Sequence, residues 1–79
     1  SFSANLLEQK SRIIRVNEAI NQLSPDDAQI ITLFYKGEQS LEEIGQVMGM
    51  DPNTVKVRLH RARHRLKGKL EKDYRMEAI

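Results

Sequence analysis

Apolar residues recur along this chain at three- and four-residue spacings, the period of amphipathic helices, in four separate segments. The first segment runs from about residue 5 to residue 23. Its apolar stripe consists of Leu6, Ile13, Val16, Ile20 and Leu23. We expect this stripe to pack on the helices that follow, although such a stripe can also serve as a partner-binding face. No alternating strand pattern competes, so the sequence predicts an all-α domain.

A set of helix N-terminal signals separates the first and second helices. Ser24 can cap the second helix, Pro25 suits its first position, and the two acids that follow favour the positive helix N-terminus. The helix is expected to end near Gly37, a C-cap candidate. These signals divide the chain into a leading helix with linker over residues 1–22 and a domain over residues 23–70.

The third helix is predicted by a capping box, in which Ser40 and Glu43 satisfy each other's free amides. Its expected inner side consists of Leu41, Ile44, Val47 and Met48. Gly45 sits where another helix could approach closely, and Gly49 can take the left-handed conformation of a tight turn. A short helix that ends in such a turn is the first half of a helix-turn-helix, with its turn near residues 49–51.

Asp51 is the expected cap of the fourth helix, and Pro52 its first residue. Gly68 weakens the helix prediction beyond that point. The sequence therefore predicts a helix over about residues 52–68 and a frayed tail over residues 71–79. The whole is a small four-helix domain with a C-terminal helix-turn-helix, of winged-helix-like or similar type.

The fourth helix sorts its residues by face, at about 100° per residue. The predicted buried face consists of Val55, Leu59, Ala62, Leu66 and Leu70. The opposite face presents Asn53, Val57, His60, Arg61 and His64. Cations occupy both flanks, with Lys56, Arg63 and Lys67 on one side and Arg58, Arg65 and Lys69, together with Thr54, on the other. Outer residues can thus meet base edges while the flanks meet phosphates.

Charge is strongly polarised along the chain. Residues 1–51 hold four Lys or Arg against eight Asp or Glu, whereas residues 52–79 hold nine against three. Seven cations fall between Pro52 and Leu70 with no acid among them. A run of charge on a helix is often only a solvated face. Here the lack of interleaved acids and the preceding glycine turn favour a helix that enters a DNA major groove.

Composition narrows the other possibilities. The chain has no cysteine, and therefore no disulfide and no thiolate site, which fits a reducing cytoplasm. No apolar run approaches the about 20 residues of a membrane span. There is no phosphate loop, buried dyad or metal set, so we expect neither catalysis nor a cofactor. Because the chain opens on Ser1, we expect it to be part of a longer protein.

Three features have a plainer explanation as well. Val57 could touch a thymine methyl group or be one of the single exposed apolar residues common on surfaces. His60 and His64 have the spacing of a helical zinc pair, but no third ligand is evident and arginines surround them, which favours a solvated or DNA-facing pair. The pair Glu42 and Glu43 is better explained by capping than by acid–base chemistry.

Residues 22–67 resemble region 4 of bacterial sigma factors of the sigma-70 family, most closely the extracytoplasmic-function group. The matching segments are Leu23-Ser24-Pro25, residues 30–33 (IITL), residues 40–45 (SLEEIG), residues 48–50 (MGM) and residues 54–63 (TVKVRLHRAR). The last of these is the most specific. Gly45 stands where the family usually has alanine, and Val57 where serine is common.

The resemblance implies recognition of double-stranded promoter DNA at the −35 element, docking on the flap of core RNA polymerase, and sequestration by an anti-sigma factor. Carried onto this sequence, the DNA contacts are Asn53, Thr54, Lys56, Val57, Arg58 and Arg61. We add as candidates Ser40, His60 and His64, and as phosphate-contacting flank Arg63, Arg65 and Lys67. The domain that binds the −10 element has no counterpart here, so we expect the chain alone not to start transcription.

Two alternatives remain open. The DNA-binding domain of a LuxR-type response regulator has a similar four-helix plan, although Arg58-Leu59 and the run 61–63 argue against it. A basic helical module that binds an acidic protein is the other. That module would need only charge, so Asn53 and Val57 would be dispensable.

Overall fold

A computed structural model describes the backbone of residues 2–77 and the side chains of residues 3–72. Within them the chain forms four helices: α1 (Phe2–Asn21), α2 (Pro25–Tyr35), α3 (Leu41–Met48) and α4 (Pro52–Glu77). The described residues contain no strand, so the helix-turn-helix carries no β-wing there. The predicted all-α, four-helix architecture is confirmed.

The core lies where α2, α3 and α4 meet. Its largest fully buried side chains are Ile30, Ile31, Ile44 and Val55. Leu59 and Ala62 of α4 join them, and α1 contributes Ile20 at its C-terminal end. Because α3 and α4 both pack on α2, the angle between the two helices of the helix-turn-helix is fixed by apolar contact and not by the turn alone.

Only the C-terminal half of α1 packs on this core. Ala19 and Ile20 are buried, but Leu6 and Ile13 are 43% and 60% exposed. The prediction that the whole stripe packs inward is therefore wrong for its first two members. The period of a helix identifies a face, but the face is buried only as far as neighbouring helices extend along it.

The end of α2 differs from the expectation. Lys36, not Gly37, is the C-cap, and the left-handed residue that follows is Glu38 with φ 52°. Gly37 is needed for another reason, because a Cβ on it would lie 2.8 Å from the Leu33 carbonyl oxygen. The glycine therefore allows close passage of the backbone over the last turn of α2.

The capping box of α3 is confirmed. The Glu43 amide donates to Ser40 Oγ, and the Ser40 amide donates to Glu43 Oε1, both at 3.1 Å. Gly49 has the predicted left-handed conformation, with φ 68°. Val47, predicted to face inward, is 56% exposed and that prediction is wrong. The short α3 buries only the face that meets α2 and α4.

Asp51 and Pro52 begin α4 as predicted, and the Asn53 amide donates to Asp51 Oδ1 at 3.3 Å. The helix does not end at residue 68 but continues through Gly68 to Glu77. The expected fraying over residues 71–79 stays a prediction, and Ala78 and Ile79 lie outside the described residues. One glycine costs a helix only about 1 kcal/mol, which a long helix tolerates.

Candidate nucleic-acid interface

The exposed face of α4 is the one predicted from the sequence. Val55, Leu59 and Ala62 are at most 5% exposed and attach the helix to the core. The residues turned outward are exposed without exception: Asn53, Thr54, Lys56, Val57, Arg58, His60, Arg61, His64. Buried and exposed residues of α4 alternate with the helical period. Packing of the buried face on the core therefore fixes which residues face solvent.

The turn presents the start of α4 to solvent. Gly49 reverses the chain, and both its amide and that of Met50 donate to the Gly45 carbonyl. Asp51 then caps α4, so the first turn of the helix emerges directly from a fixed turn. This is the geometry in which the N-terminal residues of a recognition helix reach base edges.

Ser40 lies at the exposed N-terminus of α3, in the other half of the motif. Its Oγ already accepts the Glu43 amide, but a hydroxyl that accepts can also donate. The Ser40 hydroxyl can therefore cap α3 and also donate a hydrogen bond to a DNA phosphate. The predicted DNA contact by Ser40 remains compatible with its structural role.

Among the described residues, three cations of α4 have partners within the domain that the sequence did not indicate. Arg65 Nη1 lies 3.0 Å from Asp27 Oδ2, and Arg58 Nη1 lies 3.6 Å from Asp26 Oδ2. The guanidinium of Arg63 stands over the Tyr35 ring, 5.7 Å from its centroid. The sequence explains the acids at positions 26 and 27 as helix N-terminal residues, and only the packing of α2 on α4 reveals their second role.

Val57 borders an open groove beside α4. The groove is lined by Phe34, Leu41, Leu59 and Val57, with Asn53 and Arg61 among the polar residues at its edge. Val57 itself is 50% exposed. The valine is thus part of a larger apolar surface next to the outer face of α4, and its contact with a thymine methyl group stays a prediction.

Metal binding has no support in the described part of the chain. No group of three or more His, Cys, Asp or Glu side chains there could hold an ion. His60 and His64 share α4 with arginines, and Arg61 and Arg65 line the same shallow depression as the two imidazoles. Positive neighbours oppose cation binding, so the pair belongs to the basic surface. Nor is any helix of the described chain long and apolar enough to cross a bilayer.

A capped helix-turn-helix whose second helix exposes a basic outer face, with no acid between Pro52 and Leu70, defines a DNA-binding domain. Residues 13–66 match the family model described as "Sigma-70, region 4". The match covers more than half of the chain, and the chain belongs to this family. Members of the family are DNA-binding domains and not enzymes.

Among curated proteins, the RNA polymerase sigma-D factor of Bacillus subtilis (strain 168) is 37% identical to this chain over 60 residues. The aligned region is 76% of this chain but 24% of the relative, so the chain spans about a quarter of that protein's length. No solved structure matches significantly. The comparisons favour a sigma factor over a LuxR-type regulator, whereas assignment to the extracytoplasmic-function group stays a prediction.

Proposed function

We propose that this domain is the promoter-recognition module of an RNA polymerase sigma factor, which binds the −35 element in the major groove. The observation that carries the proposal is the outer face of α4, which is exposed, basic and held by a buried apolar face on the same helix. Membership of the sigma-70 region 4 family supports it independently.

Base reading falls to the first turns of α4. Asn53, Lys56, Val57 and Arg61 lie on the outer side there and have side chains that pair with base edges or contact thymine methyl groups. Thr54 and Ser40 border this surface and serve the phosphates. His60 and His64 continue the outer face toward the C-terminal half of the helix, where it leaves the groove floor.

On the flank of α4, Lys67 contacts phosphates. Arg63 does so as well when its guanidinium leaves the Tyr35 ring. Lys67 is exposed on the same side as Lys56. Such contacts fix register and supply affinity without reading sequence. Arg65 belongs to this set on sequence alone, but the structure pairs its guanidinium with Asp27.

A second part of the proposal is docking on core RNA polymerase, at its flap. An apolar groove between α1, α2 and α4 supports a protein-docking face. It is lined by Val16, Ile20, Ile31, Tyr35 and Leu66, together with Thr32 and Lys36. An anti-sigma factor that covered this groove or the basic face of α4 would silence the domain, and the site of action is the cytoplasm, where polymerase and DNA are.

The isolated domain is expected to bind weakly. One small module buries only about 600–1,000 Å² on DNA. In a longer sigma factor bound to polymerase, a second DNA-binding domain of the same assembly binds in an intramolecular step. The overall affinity then rises although this domain makes no additional contact.

Fluorescence anisotropy tests the proposal with the domain as it stands. The domain is titrated at two salt concentrations against a −35-like GGAAC duplex and a scrambled duplex. Tighter, salt-sensitive binding to the first supports promoter reading. Equal binding to both leaves a non-specific basic helix, and binding to neither moves the function to protein partners.

Asn53→Ala sharpens the same test. If Asn53 reads a base, the variant loses selectivity between the two duplexes while its far-UV circular dichroism is unchanged. Unaltered selectivity would remove direct base readout at that position.

A further inference from the structure

Among the described residues, Asp27 at the start of α2 is the charged residue that is buried, with 7% of its surface exposed. Its amide donates to Ser24 Oγ at 3.3 Å, and its carboxylate accepts Arg65 Nη1 at 3.0 Å. A buried carboxylate is retained in a protein when it is paired and hydrogen-bonded. Arg65 is therefore the partner that makes this acid tolerable.

Asp26 makes a second, weaker pair with the same helix. Its Oδ2 lies 3.6 Å from Arg58 Nη1, and both side chains are largely exposed. Arg58 and Arg65 are seven residues apart, two turns of α4, and so lie on one flank. The acids in the first turn of α2 thus meet two arginines on that flank, and we name these four residues the acidic clamp.

A polar cleft lies at the acidic clamp and reaches Arg61 on the outer face of α4. Ser24, Asp27, Arg58, Arg61 and Arg65 line it. Of its three arginines, Arg61 belongs to the outer face, whereas Arg65 is turned toward α2 by its bond to Asp27. The same basic helix therefore holds one arginine on the outer face and another that is paired with a buried carboxylate, although the Arg65 side chain itself stays 62% exposed.

A carboxylate offers arginine the same planar pair of oxygen acceptors that a phosphate does. An arginine bound to Asp27 is thus occupied by an internal substitute for DNA phosphate. Sequence-independent DNA affinity grows with the number of phosphates that Lys and Arg neutralise. Withholding an arginine lowers that affinity directly.

We propose that Asp27, assisted by Asp26, is a specificity-determining residue, which limits sequence-independent DNA binding by holding Arg65 and Arg58 away from phosphates. The inference rests on the proposed function, since it requires that α4 bind DNA. On a correct site, base contacts fix the position of α4 along the DNA. An Arg65 released from Asp27 can then reach few phosphates. On any other sequence the domain can shift along the DNA until Arg65 meets a phosphate. Release of Arg65 therefore strengthens non-specific binding more than binding to the correct site.

The test is a double-mutant cycle read as salt dependence. Asp27→Asn keeps the shape of the side chain and removes its charge, and Arg65→Gln removes the cation. Binding of wild type, both single variants and the double variant to a scrambled duplex is measured by anisotropy from 50 to 200 mM salt. Far-UV circular dichroism of each variant reports folding, and Glu18→Gln, an exposed charge-matched change on α1, controls for net charge.

Asp27→Asn is expected to bind the scrambled duplex more tightly and to steepen the plot of log association constant against log salt by about 0.9. The extra loss of affinity across that salt range is then about 3.5-fold. Arg65→Gln is expected to keep the wild-type slope, and the double variant to return to it. The ratio of −35-like to scrambled affinity falls in Asp27→Asn, whereas Glu18→Gln leaves slope and ratio near wild type.

Several results would overturn the inference while leaving the proposed function intact. One is wild-type DNA binding with an unchanged slope in a folded Asp27→Asn. Another is a slope about 0.9 shallower in Arg65→Gln, which would make Arg65 a phosphate contact after all. If Asp27→Asn does not fold, Asp26→Asn decides the question by its slope, because the Asp26 side chain is exposed and its pair with Arg58 is not needed for the core. Wild type that binds neither duplex overturns the proposed function, and the inference falls with it.

Discussion

Gly45 and Met50 meet through their backbones across the turn of the helix-turn-helix. The Met50 amide donates to the Gly45 carbonyl at 2.8 Å, and a Cβ placed on residue 45 would stand only 2.5 Å from the Met50 carbonyl oxygen. The sequence suggests that another helix approaches Gly45. The close neighbour is instead the backbone of the turn that leads into α4, so this position sets how tightly α4 follows α3.

Gly45→Ala is expected to destabilise the domain by about 1–2 kcal/mol. Inserting a methyl group against fixed backbone typically costs about 1–3 kcal/mol, and the gain in helix propensity returns at most about 1 kcal/mol. Urea unfolding followed by circular dichroism measures the difference. An alanine variant as stable as wild type would mean that the turn shifts freely to admit the methyl group.

Gly68→Ala is the matched control. Gly68 lies inside α4, and a Cβ there would meet nothing within 4 Å. The same substitution should therefore stabilise the domain, by about 0.5–1 kcal/mol, through helix propensity alone. Opposite signs at positions 45 and 68 would separate the effect of contact from that of propensity.

Ser40 has both a structural and a proposed DNA-binding role, and two substitutions separate them. Ser40→Ala removes the capping bond to the Glu43 amide and should cost about 0.5–2 kcal/mol of stability. Ser40→Asp retains a good cap but places a negative charge beside DNA. We expect near wild-type urea stability and weakened duplex binding in Ser40→Asp. Undiminished binding would remove Ser40 from the interface.

Features fixed by local chemistry are predictable from the sequence. The capping box at Ser40, the left-handed Gly49 and the start of α4 at Pro52 depend on residues within a few positions of one another. The division of α4 into buried and outward faces also follows from period alone. The candidate DNA-reading surface therefore follows from the residue pattern of a single helix and the turn that precedes it.

Features that depend on distant neighbours are not predictable in this way. Val47 and Ile13 fit apolar stripes, yet both are exposed because no other helix covers those parts of α3 and α1. The Asp27–Arg65 pair joins residues 38 positions apart, and no local rule indicates it. The sequence offers the seven cations between Pro52 and Leu70 as available for DNA, and among the described residues packing pairs three of them with Asp26, Asp27 and Tyr35.

Leu59→Asp is expected to unfold the domain, whereas Val57→Asp is not. Leu59 is 5% exposed within the core, where an unpaired carboxylate is strongly unfavourable, but Val57 is 50% exposed. Circular dichroism and thermal unfolding distinguish the two. Val57→Asp should keep its helical content and lose duplex affinity by repulsion. A well-folded Leu59→Asp would contradict the orientation of α4.

Lys67 and Arg61 separate phosphate contact from base reading. Both are exposed on α4, but Lys67 lies on a flank and Arg61 on the outer face that borders the groove at Val57. Lys67→Ala should weaken binding to all duplexes alike and reduce the salt slope by about 0.9, the contribution of one phosphate. Arg61→Ala should cost about 1–3 kcal/mol and relax discrimination at one base pair.

The two variants are compared by anisotropy on the −35-like duplex, on single-base-pair substitutions of it and on the scrambled duplex. Arg61→Ala should change the ranking of the substituted duplexes, while Lys67→Ala should preserve it. Both lie outside the buried face, so circular dichroism should match wild type in each. Equal losses from both variants on every sequence would mean that α4 binds DNA by charge alone, and the reading of bases would have to lie elsewhere in the polymerase assembly.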